Sequence, residues 1–477
     1  MTGLTADSRN LIAGETFLAY PGSRHDGRGF IPEAVARGAA AVLWEREGFE
    51  WDAGREVPNL GIGGLRELAG HLAHEVYGRP SEKLWTIGVT GTNGKTSCSH
   101  WIAQACAACG AKTAVVGTIG IGFPEALEAG ANTTPDAIVL HRSLAQLLDA
   151  GAQGVAMEVT SIGLDQGRVN GVAFGAALFT NLSRDHLDYH GDMESYARAK
   201  QRLFETPGLT HAVLNLDDVQ GVQLARVLAG RGINRAGYSC FEDVAVRAGL
   251  ERYVEARAIE VSPKGIAFTV KSSWGEARIE STLLGRFNVS NLLGVLATLL
   301  VSGVPFDCAA TVLGSLRPVA GRMQRLGGSG RPLVVVDYAH TPDALEQTLV
   351  ALKDTARAGG GRLIAVFGCG GGRDRGKRPL MGAVAARHAD AIIVTSDNPR
   401  DEDPAAIIAE IAAAIPVPYE TVEDRRAAIA RAIEMAGAHD VVLVAGKGHE
   451  TYQEIAGRRL PFSDAFEVER ALEGWGG

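Results

Sequence analysis

Thr86-Ile-Gly-Val-Thr-Gly-Thr-Asn-Gly-Lys-Thr96 is the segment whose residue types and spacing promise the most chemistry. An apolar run leads into a Gly-rich turn, and Lys95 and Thr96 then open a helical pattern. Backbone N–H groups of such a turn point inward and, with a helix N-terminus behind them, cradle phosphate oxygens. The lysine offsets phosphate charge and the threonine hydroxyl can ligate Mg2+. The strict G-x-x-x-x-G-K-[ST] spacing is not met: Val89 stands where the first glycine belongs, Gly88 is one place early and Gly91 two places late. A strand before and a helix after make a nucleotide site a better reading than a flexible turn.

Other chemically capable residues also stand at the ends of apolar runs, where open parallel sheets gather their ligands. Glu158 closes one run and His186 follows another. Carboxylate, imidazole and the Thr96 hydroxyl suit Mg2+ in a phosphate-rich site, although His186 alone would read as a hydrogen-bonded loop histidine. Asp337 ends the run Leu333–Asp337. Arg373, Arg400 and Glu450 each follow a run, and Pro399 stiffens the turn presenting Arg400. The bland alternative is three unrelated surface charges. Asn288 and Asn291 lie one helical turn apart and share a face, as a core network or a ligand contact. Lys200 stands in the helical stretch Tyr196–Phe204, where a lysine is ordinarily solvated. Phe367-Gly-Cys-Gly-Gly-Gly-Arg-Asp374 imitates a dinucleotide fingerprint but fails it, because Arg373 occupies the third glycine position.

The elements that must position these groups follow from length and pattern. At roughly 150 residues per domain, 477 residues imply three domains, and 46% hydrophobic with 21% charged residues is a globular composition. The formal charge of −8 argues against a general nucleic-acid binder. Apolar runs at Leu84–Val89, Thr113–Val116, Gly154–Val159, Ala176–Thr180, Ala212–Leu216, Leu333–Asp337, Leu363–Phe367, Ala391–Thr395 and Val441–Ala445 alternate with helical segments. That is the rhythm of parallel sheets covered by helices. Val254–Leu284 breaks it and reads as a small antiparallel flank. The expected fold is α/β: a smaller α/β N-terminal domain over 1–83, a central P-loop parallel-sheet domain over 84–317 and a Rossmann-like C-terminal domain over 318–477. Six scattered cysteines exclude a disulfide framework, and Cys106-Ala-Ala-Cys109 reads as helix packing. No secretory h-region opens the chain and Leu292–Val301 is too short to span a bilayer, so a cytoplasmic protein without a membrane span is expected; a monomer without nucleic-acid partner is the accompanying expectation, although the sequence does not give oligomeric state.

Gly91-Thr-Asn-Gly-Lys-Thr96 resembles the P-loop of the Mur ligases and the related folylpolyglutamate synthetases. Asn132-Thr-Thr-Pro135, Met157-Glu-Val-Thr-Ser161, Thr180 to His190, Ala199-Lys200, Gly285 to Asn291, Gly321-Arg322, Asp337 to Pro342 and Gly446-Lys-Gly-His-Glu450 extend the resemblance to the Mur ligases along the whole chain. Asp397-Asn-Pro-Arg400 narrows it to members that add the third residue of the peptidoglycan stem peptide. The resemblance implies domains for the UDP-sugar, ATP and the amino acid, and amide formation through an acyl phosphate. It implies ATP contacts at Gly91, Thr92, Asn93, Gly94, Lys95, Thr96, Asn288, Asn291, Arg322, Asp337 and His340. Mg2+ would be held around Thr96, Glu158, His186 and Lys200, with Lys95, Glu158, His186 and Lys200 catalytic and Lys200 carbamylated by CO2. The UDP-muramoyl-dipeptide would meet Ser8, Ser23, Arg24, His25, Asn132, Thr133, Thr134, Thr160, Gln166 and Arg168. Diaminopimelate would meet Arg373, Asp397, Asn398, Pro399, Arg400, Gly446 and Glu450. Thr160 and Ile162 depart from the family's frequent Ser and His; the threonine keeps a hydroxyl, whereas the isoleucine cannot hydrogen-bond. L-Lysine as the amino acid, another amide ligase of the superfamily, or a nucleotide-binding regulator stay open as alternatives. Glu158, His186 and Lys200 together argue against the regulator, which has no use for such a set.

Overall fold

The computed structural model of the chain describes residues 3–22, 25–244 and 248–476. It forms two compact units, Met1–Gly237 with Val301–Val304, and Tyr238–Leu300 with Pro305–Gly477.

The first unit opens with four parallel strands in chain order, Leu4–Thr5, Thr16–Ala19, Ala41–Glu45 and Asn59–Ile62. Period-2 alternation splits their apolar residues between two faces. Phe17, Ala19, Val42 and Trp44 pack with Ile31 and Ala34, while Leu4 and Leu18 pack with Leu65, Ala69 and Ala73.

A second sheet in this unit carries five parallel strands in the spatial order Thr113–Val116, Gly154–Glu158, Trp85–Thr90, Ala176–Phe179, His211–Asn215. All nine expected strands of the chain are present, with ends differing by a residue or two. The chain leaves the central strand Trp85–Thr90 to one side, returns as far as Gly154–Glu158, then crosses to the other side. The strand order therefore switches at Trp85–Thr90, and a crevice opens at the carboxyl end of such a strand. That end is the Gly-rich turn. The hairpin Ile121–Phe123 with Ala126–Glu128 extends one edge antiparallel and was not foreseen.

In the second unit Arg252–Ser262, Gly265–Ser272 and Glu276–Ser281 form the expected antiparallel flank. Helix Arg286–Val301 follows and contains the longest apolar run. A separate sheet runs in the order Gln324–Gly327, Leu333–Asp337, Val441–Ala445, Leu363–Phe367, Ala391–Val394, Glu420–Thr421, with only the first strand antiparallel. Its central strands are buried along their whole length, because helices cover both faces. Leu333, Val335, Ala365, Phe367 and Leu443 face one core, with Leu345, Leu349 and Met381 from covering helices. Val334, Val336, Ile364, Val366 and Val444 face the other, with Ile429, Ile433 and Val468. Fully burying each such aliphatic side chain contributes about 1.5–3 kcal/mol, which explains continuous apolar runs instead of alternation. No helix among the described residues is long and apolar enough to cross a membrane. Cys106 is a buried free thiol, as packing predicts, whereas Cys109 is disulfide-bonded, which the spacing did not reveal.

Candidate active site

The turn after Trp85–Thr90 has the geometry of a phosphate loop. Gly91 has φ +148° and Gly94, which caps helix Lys95–Ala108, has φ +85°. A Cβ on Gly91 would sit 1.9 Å from Thr180 Oγ1, so two constraints require glycine there. The turn is braced from the strand Ala176–Phe179 and its loop: the Asn93 N–H donates to Asn181 Oδ1 at 2.9 Å and Thr180 Oγ1 donates to Asn93 O at 2.6 Å. Thr92 Oγ1 accepts the Ser183 N–H at 3.0 Å and lies 3.1 Å from the Tyr196 hydroxyl. Lys95 Nζ donates to Gly91 O and Thr92 O, 2.9 and 2.8 Å away, so its ammonium spans the turn. Gly91→Ala is expected to weaken ATP binding roughly ten- to a hundredfold, the loss that 1–3 kcal/mol of imposed backbone strain would produce. Nucleotide titration calorimetry measures it, and wild-type affinity would refute the bracing argument.

Glu158 ends the strand beside this turn and is fully buried. Its Oε2 accepts from Thr96 Oγ1 at 2.9 Å and Thr118 Oγ1 at 3.1 Å, and Oε1 accepts the Thr118 N–H at 2.7 Å. Thr133 continues the chain 3.1 Å from Thr118 Oγ1. Thr134 Oγ1 donates to Glu158 O and meets Thr160 Oγ1 at 3.0 Å. Thr160 caps the short helix Ser161–Asp165, so the hydroxyl that the sequence retains there has a backbone duty as well. Arg168 donates to Thr134 O at 2.8 Å and, through two nitrogens, to Gln166 Oε1. The structure thus joins Thr96, Glu158, Thr133, Thr134, Thr160, Gln166 and Arg168 in one chain of contacts. Glu158 is its hub, and Thr118, which no sequence pattern marked, links it to Thr133. A cavity of about 510 Å³ is lined by Asp165, Tyr189, His190, Arg198 and Arg202 among others, and the Tyr189 hydroxyl accepts from Gln166 Nε2 at 3.3 Å.

Lys200 is not a surface lysine. It is 1% exposed, its Nζ donates to Gly91 O at 2.8 Å, and it lies 4.4 Å from the centre of the Tyr196 ring. Burial first, and the charge of Lys95 second, hold its ammonium well below the ordinary lysine value. His186 stacks edge-on against the same ring at 6.2 Å. It has the uncommon φ of +53° and is paired to Asp185 at 3.5 Å. Desolvation lowers its pKa against the opposing pull of Asp185, leaving a neutral imidazole with a lone pair to offer. Among the described residues no three His, Cys, Asp or Glu side chains form a metal cluster. The expected metal set therefore falls into two contacts, Thr96 with Glu158 and His186 with Lys200 across Tyr196. Hydroxyl and carboxylate oxygens are donor types that suit Mg2+.

At the N-terminal sheet, Ser8 is buried and donates to Glu33 Oε2 at 2.9 Å, while His25 is exposed. Ser23 and Arg24 lie outside the described residues.

In the second unit the parallel register aligns the ends of Leu333–Asp337, Val441–Ala445, Leu363–Phe367 and Ala391–Val394. Their following loops consequently meet at one edge. Asp337 Oδ2 accepts the Met323 N–H and Oδ1 the Ala339 N–H. Burial raises its pKa, against the pull of Arg322. Arg322 lies over the Tyr338 ring at 4.7 Å, and His340 packs on that ring's edge at 4.7 Å. Asn291 Nδ2 donates to Asn288 Oδ1 at 3.0 Å, and Asn288 Nδ2 to Leu284 O, so the pair on helix Arg286–Val301 does form a buried network.

The Gly-rich loop after Phe367 is zipped onto Asn398-Pro-Arg400. The Gly371 N–H donates to Asn398 O, and Arg400 donates to Gly371 O at 2.6 Å. Arg400 has φ +53°, and its Nε pairs with Glu454 Oε2 at 3.4 Å. A Cβ on Gly371 would come 1.9 Å from Pro399 O, so the glycines serve close backbone approach instead of a dinucleotide. Arg378, fully buried, bridges Glu402 and Glu410 and also reaches Gly370 O, while Glu402 accepts the Gly372 N–H. Arg378 and Glu402 were missed; Glu402, two residues beyond Arg400, was the available signal. Gly446 has φ +118° and a Cβ there would meet Asp397 Oδ2 at 2.4 Å. Arg373 is exposed at this edge, and Glu450 is tied to Asn398 and Lys447.

A switch-point phosphate loop followed by a second parallel-sheet unit with cations at its strand ends fits a nucleotide-dependent enzyme, and comparison with known proteins gives its class. Residues 1–77 match the Mur ligase family catalytic domain, 89–299 the Mur ligase middle domain and 321–448 the Mur ligase glutamate ligase domain. The chain belongs to the Mur ligase family. The UDP-N-acetylmuramoyl-L-alanyl-D-glutamate–2,6-diaminopimelate ligase of Chromobacterium violaceum is 52% identical over 474 residues, covering 99% of this chain and 94% of the relative. The Ralstonia nicotianae protein of the same name is 52% identical, covering 98% and 92%. A solved structure of an identically named ligase aligns with TM-score 0.72 at 38% identity, covering 99% of this chain and 95% of the other. Folylpolyglutamate synthase of Mycobacterium tuberculosis shares the fold at 18% identity, with TM-score 0.63 over 80% of this chain and 92% of the other.

Proposed function

We propose that the protein is an ATP-dependent, ADP-forming ligase that adds meso-2,6-diaminopimelate to UDP-N-acetylmuramoyl-L-alanyl-D-glutamate during peptidoglycan precursor synthesis. The observation that carries this reading is the strand-end group of Asn398, Arg400 and Glu450, together with relatives of that name at about half identity over nearly the whole chain. In the reaction the D-glutamyl carboxylate attacks the γ-phosphorus of ATP, the P–O bond to ADP breaks, and an acyl phosphate results. The diaminopimelate amine attacks the acyl carbon, the C–O bond to phosphate breaks, and the amine gives up its proton. The loop N–H groups and Lys95 hold phosphate and offset its charge. The Thr118, Thr134, Thr160, Gln166 and Arg168 contacts support residues assigned to the acyl substrate, with Ser8, Ser23, Arg24, His25, Asn132 and Thr133 completing that assignment. Thr96, Glu158 and His186, with Lys200 as a carbamate, would hold Mg2+, which when bound draws charge from the phosphate oxygens. A three-domain division at 1–83, 84–317 and 318–477 and action as a cytoplasmic monomer belong to the same proposal.

Arg400, with Arg373, is assigned to the distal carboxylate of diaminopimelate and Glu450 to its distal ammonium. An arginine whose sole partner was that carboxylate would be left unpaired when L-lysine replaces diaminopimelate. Arg400 instead has partners in Gly371 O and Glu454, so discrimination rests on one lost charge-assisted contact and not on an orphaned charge. That contact is worth about ten- to a hundredfold. ADP release measured with meso-diaminopimelate, L-lysine, L-ornithine and D-glutamate tests the reading, and Arg400→Ala is expected to raise KM for diaminopimelate while sparing KM for ATP. Equal efficiency with L-lysine would overturn the assigned amino acid; no amino-acid-dependent ADP release would overturn the ligase.

A further inference from the structure

Lys447 is a buried cation to which neither the sequence reading nor the proposed reaction gives a task. Its side chain is 0% exposed, its Nζ donates to Asn398 Oδ1 at 2.9 Å and Glu450 Oε2 at 3.0 Å, and it stands 5.7 Å from the centre of the Tyr452 ring. A lysine is almost never fully buried without a paired partner, and the energetic cost of holding it there calls for a reason.

The reason lies in how completely it fixes its two neighbours. Asn398 Oδ1 accepts from Lys447 Nζ and from the Glu454 N–H at 2.9 Å, so the amide can face only one way. Its Nδ2 then donates to Glu450 Oε2 at 2.8 Å. Glu450 Oε2 thus receives two donors, while Oε1 receives none among the described residues. The carboxylate is 19% exposed, and its uncommitted oxygen is aimed by the committed one. Another buried cation, Arg425, feels Glu450 but is bound to Asp464 by two contacts at 2.7 and 2.8 Å. Among the described residues Lys447 is therefore the cation bonded to Glu450.

We infer that Lys447 is the positioning residue of the amino-acid site: it orients Asn398 and holds the Glu450 carboxyl group aimed, so that Oε1 forms a prebuilt acceptor for the distal ammonium of the incoming diamino acid. Lys447 does not touch the substrate. The preorganisation spares binding the cost of ordering Glu450, and hence acts on substrate saturation and not on the chemical step. This inference rests on the assignment of Glu450 to that ammonium.

The test is a double-mutant cycle on the full-length enzyme with meso-2,6-diaminopimelate as the varied substrate. K447M keeps the stem length and removes the charge. It is expected to raise KM for diaminopimelate about tenfold or more, the size of a lost charge-assisted hydrogen bond, with kcat and KM for ATP moved by no more than about threefold. In an E450Q background K447M should add nothing, because Lys447 acts through that carboxylate. Wild-type saturation by K447M, or factors that multiply in the double variant, would overturn the inference. Should K447M not melt cooperatively, K447A with added ethylammonium carries the same test. Restored saturation on adding the amine supports the inference, whereas wild-type KM without it, or a raised KM that the amine leaves unchanged, overturns it. If the wild type itself does not turn over diaminopimelate, the proposed function fails first, and that result is distinct from any outcome at Lys447.

Discussion

Lys95→Ala is expected to lower ADP formation about a hundred- to a thousandfold, the usual consequence of removing one preorganised charge from a reacting centre. The fold should survive, because the bonds Lys95 Nζ makes to the turn go to two carbonyls, Gly91 O and Thr92 O, on a loop held by other residues as well. Gly91 O keeps a second donor in Lys200, and the bracing of Asn93 by Thr180 and Asn181 is independent of Lys95. Loss of the ammonium should therefore appear in phosphate handling and leave the far-UV circular dichroism spectrum unchanged. Lys95→Arg keeps the charge but carries a planar fork in place of a compact ammonium, so it should restore part of the activity. Turnover of Lys95→Ala within about tenfold of wild type, with the enzyme folded, would contradict the electrostatic role.

How far such a site can be read in a sequence depends on what buries it. Leu333–Asp337 and Val441–Ala445 are covered on both faces, so their apolar residues run without interruption and were visible as strands. The edge strands Gln324–Gly327 and Tyr452–Ile455 are short and partly polar, and nothing in their pattern sets them apart from loops. The phosphate turn is legible because its function demands glycines and a lysine in adjacent positions. Glu158, Asp337 and the arginines are legible because a ligand-facing group must stand at the end of a parallel strand. Arg378, Lys447 and Arg425 are a different case. Each is a charge held by at least one partner far away in the chain, Glu410 at 32 residues, Asn398 at 49 and Asp464 at 39, to which Lys447 adds the local Glu450. Local composition cannot announce a pairing that only the tertiary fold creates. Thr118 escaped notice for the same reason, since its hydroxyl donates to Glu158, 40 residues on.

Lys200 belongs with those buried charges, and its environment separates stability from activity. Helix Met193–Gln201 is polar enough to look like a surface helix, yet it turns Tyr196, Ala199 and Lys200 inward. Replacing Lys200 by methionine keeps most of the packed volume and removes a desolvated amine. Gly91 O would retain the Lys95 donor, so no carbonyl is orphaned. Lys200→Met is accordingly expected to leave the melting temperature equal to or above that of the wild type while nearly abolishing turnover. The pH dependence gives the sign. The folded-state pKa of Lys200 lies below its ordinary value of 10.5, so below that value the unfolded chain binds the proton more strongly and folding is penalised. The penalty shrinks as pH rises towards 10.5. In bicarbonate-free buffer the melting difference between variant and wild type should therefore narrow between neutral pH and about pH 10. The same depressed pKa leaves a larger share of neutral amine at physiological pH, which is the form that captures CO2 as a carbamate. Lys200→Ala, which leaves a cavity, should consequently recover part of its activity when short carboxylates such as acetate fill the anionic place. Rescue by short amines instead of carboxylates would show that Lys200 works as a cation, and the carbamate assignment would then fall.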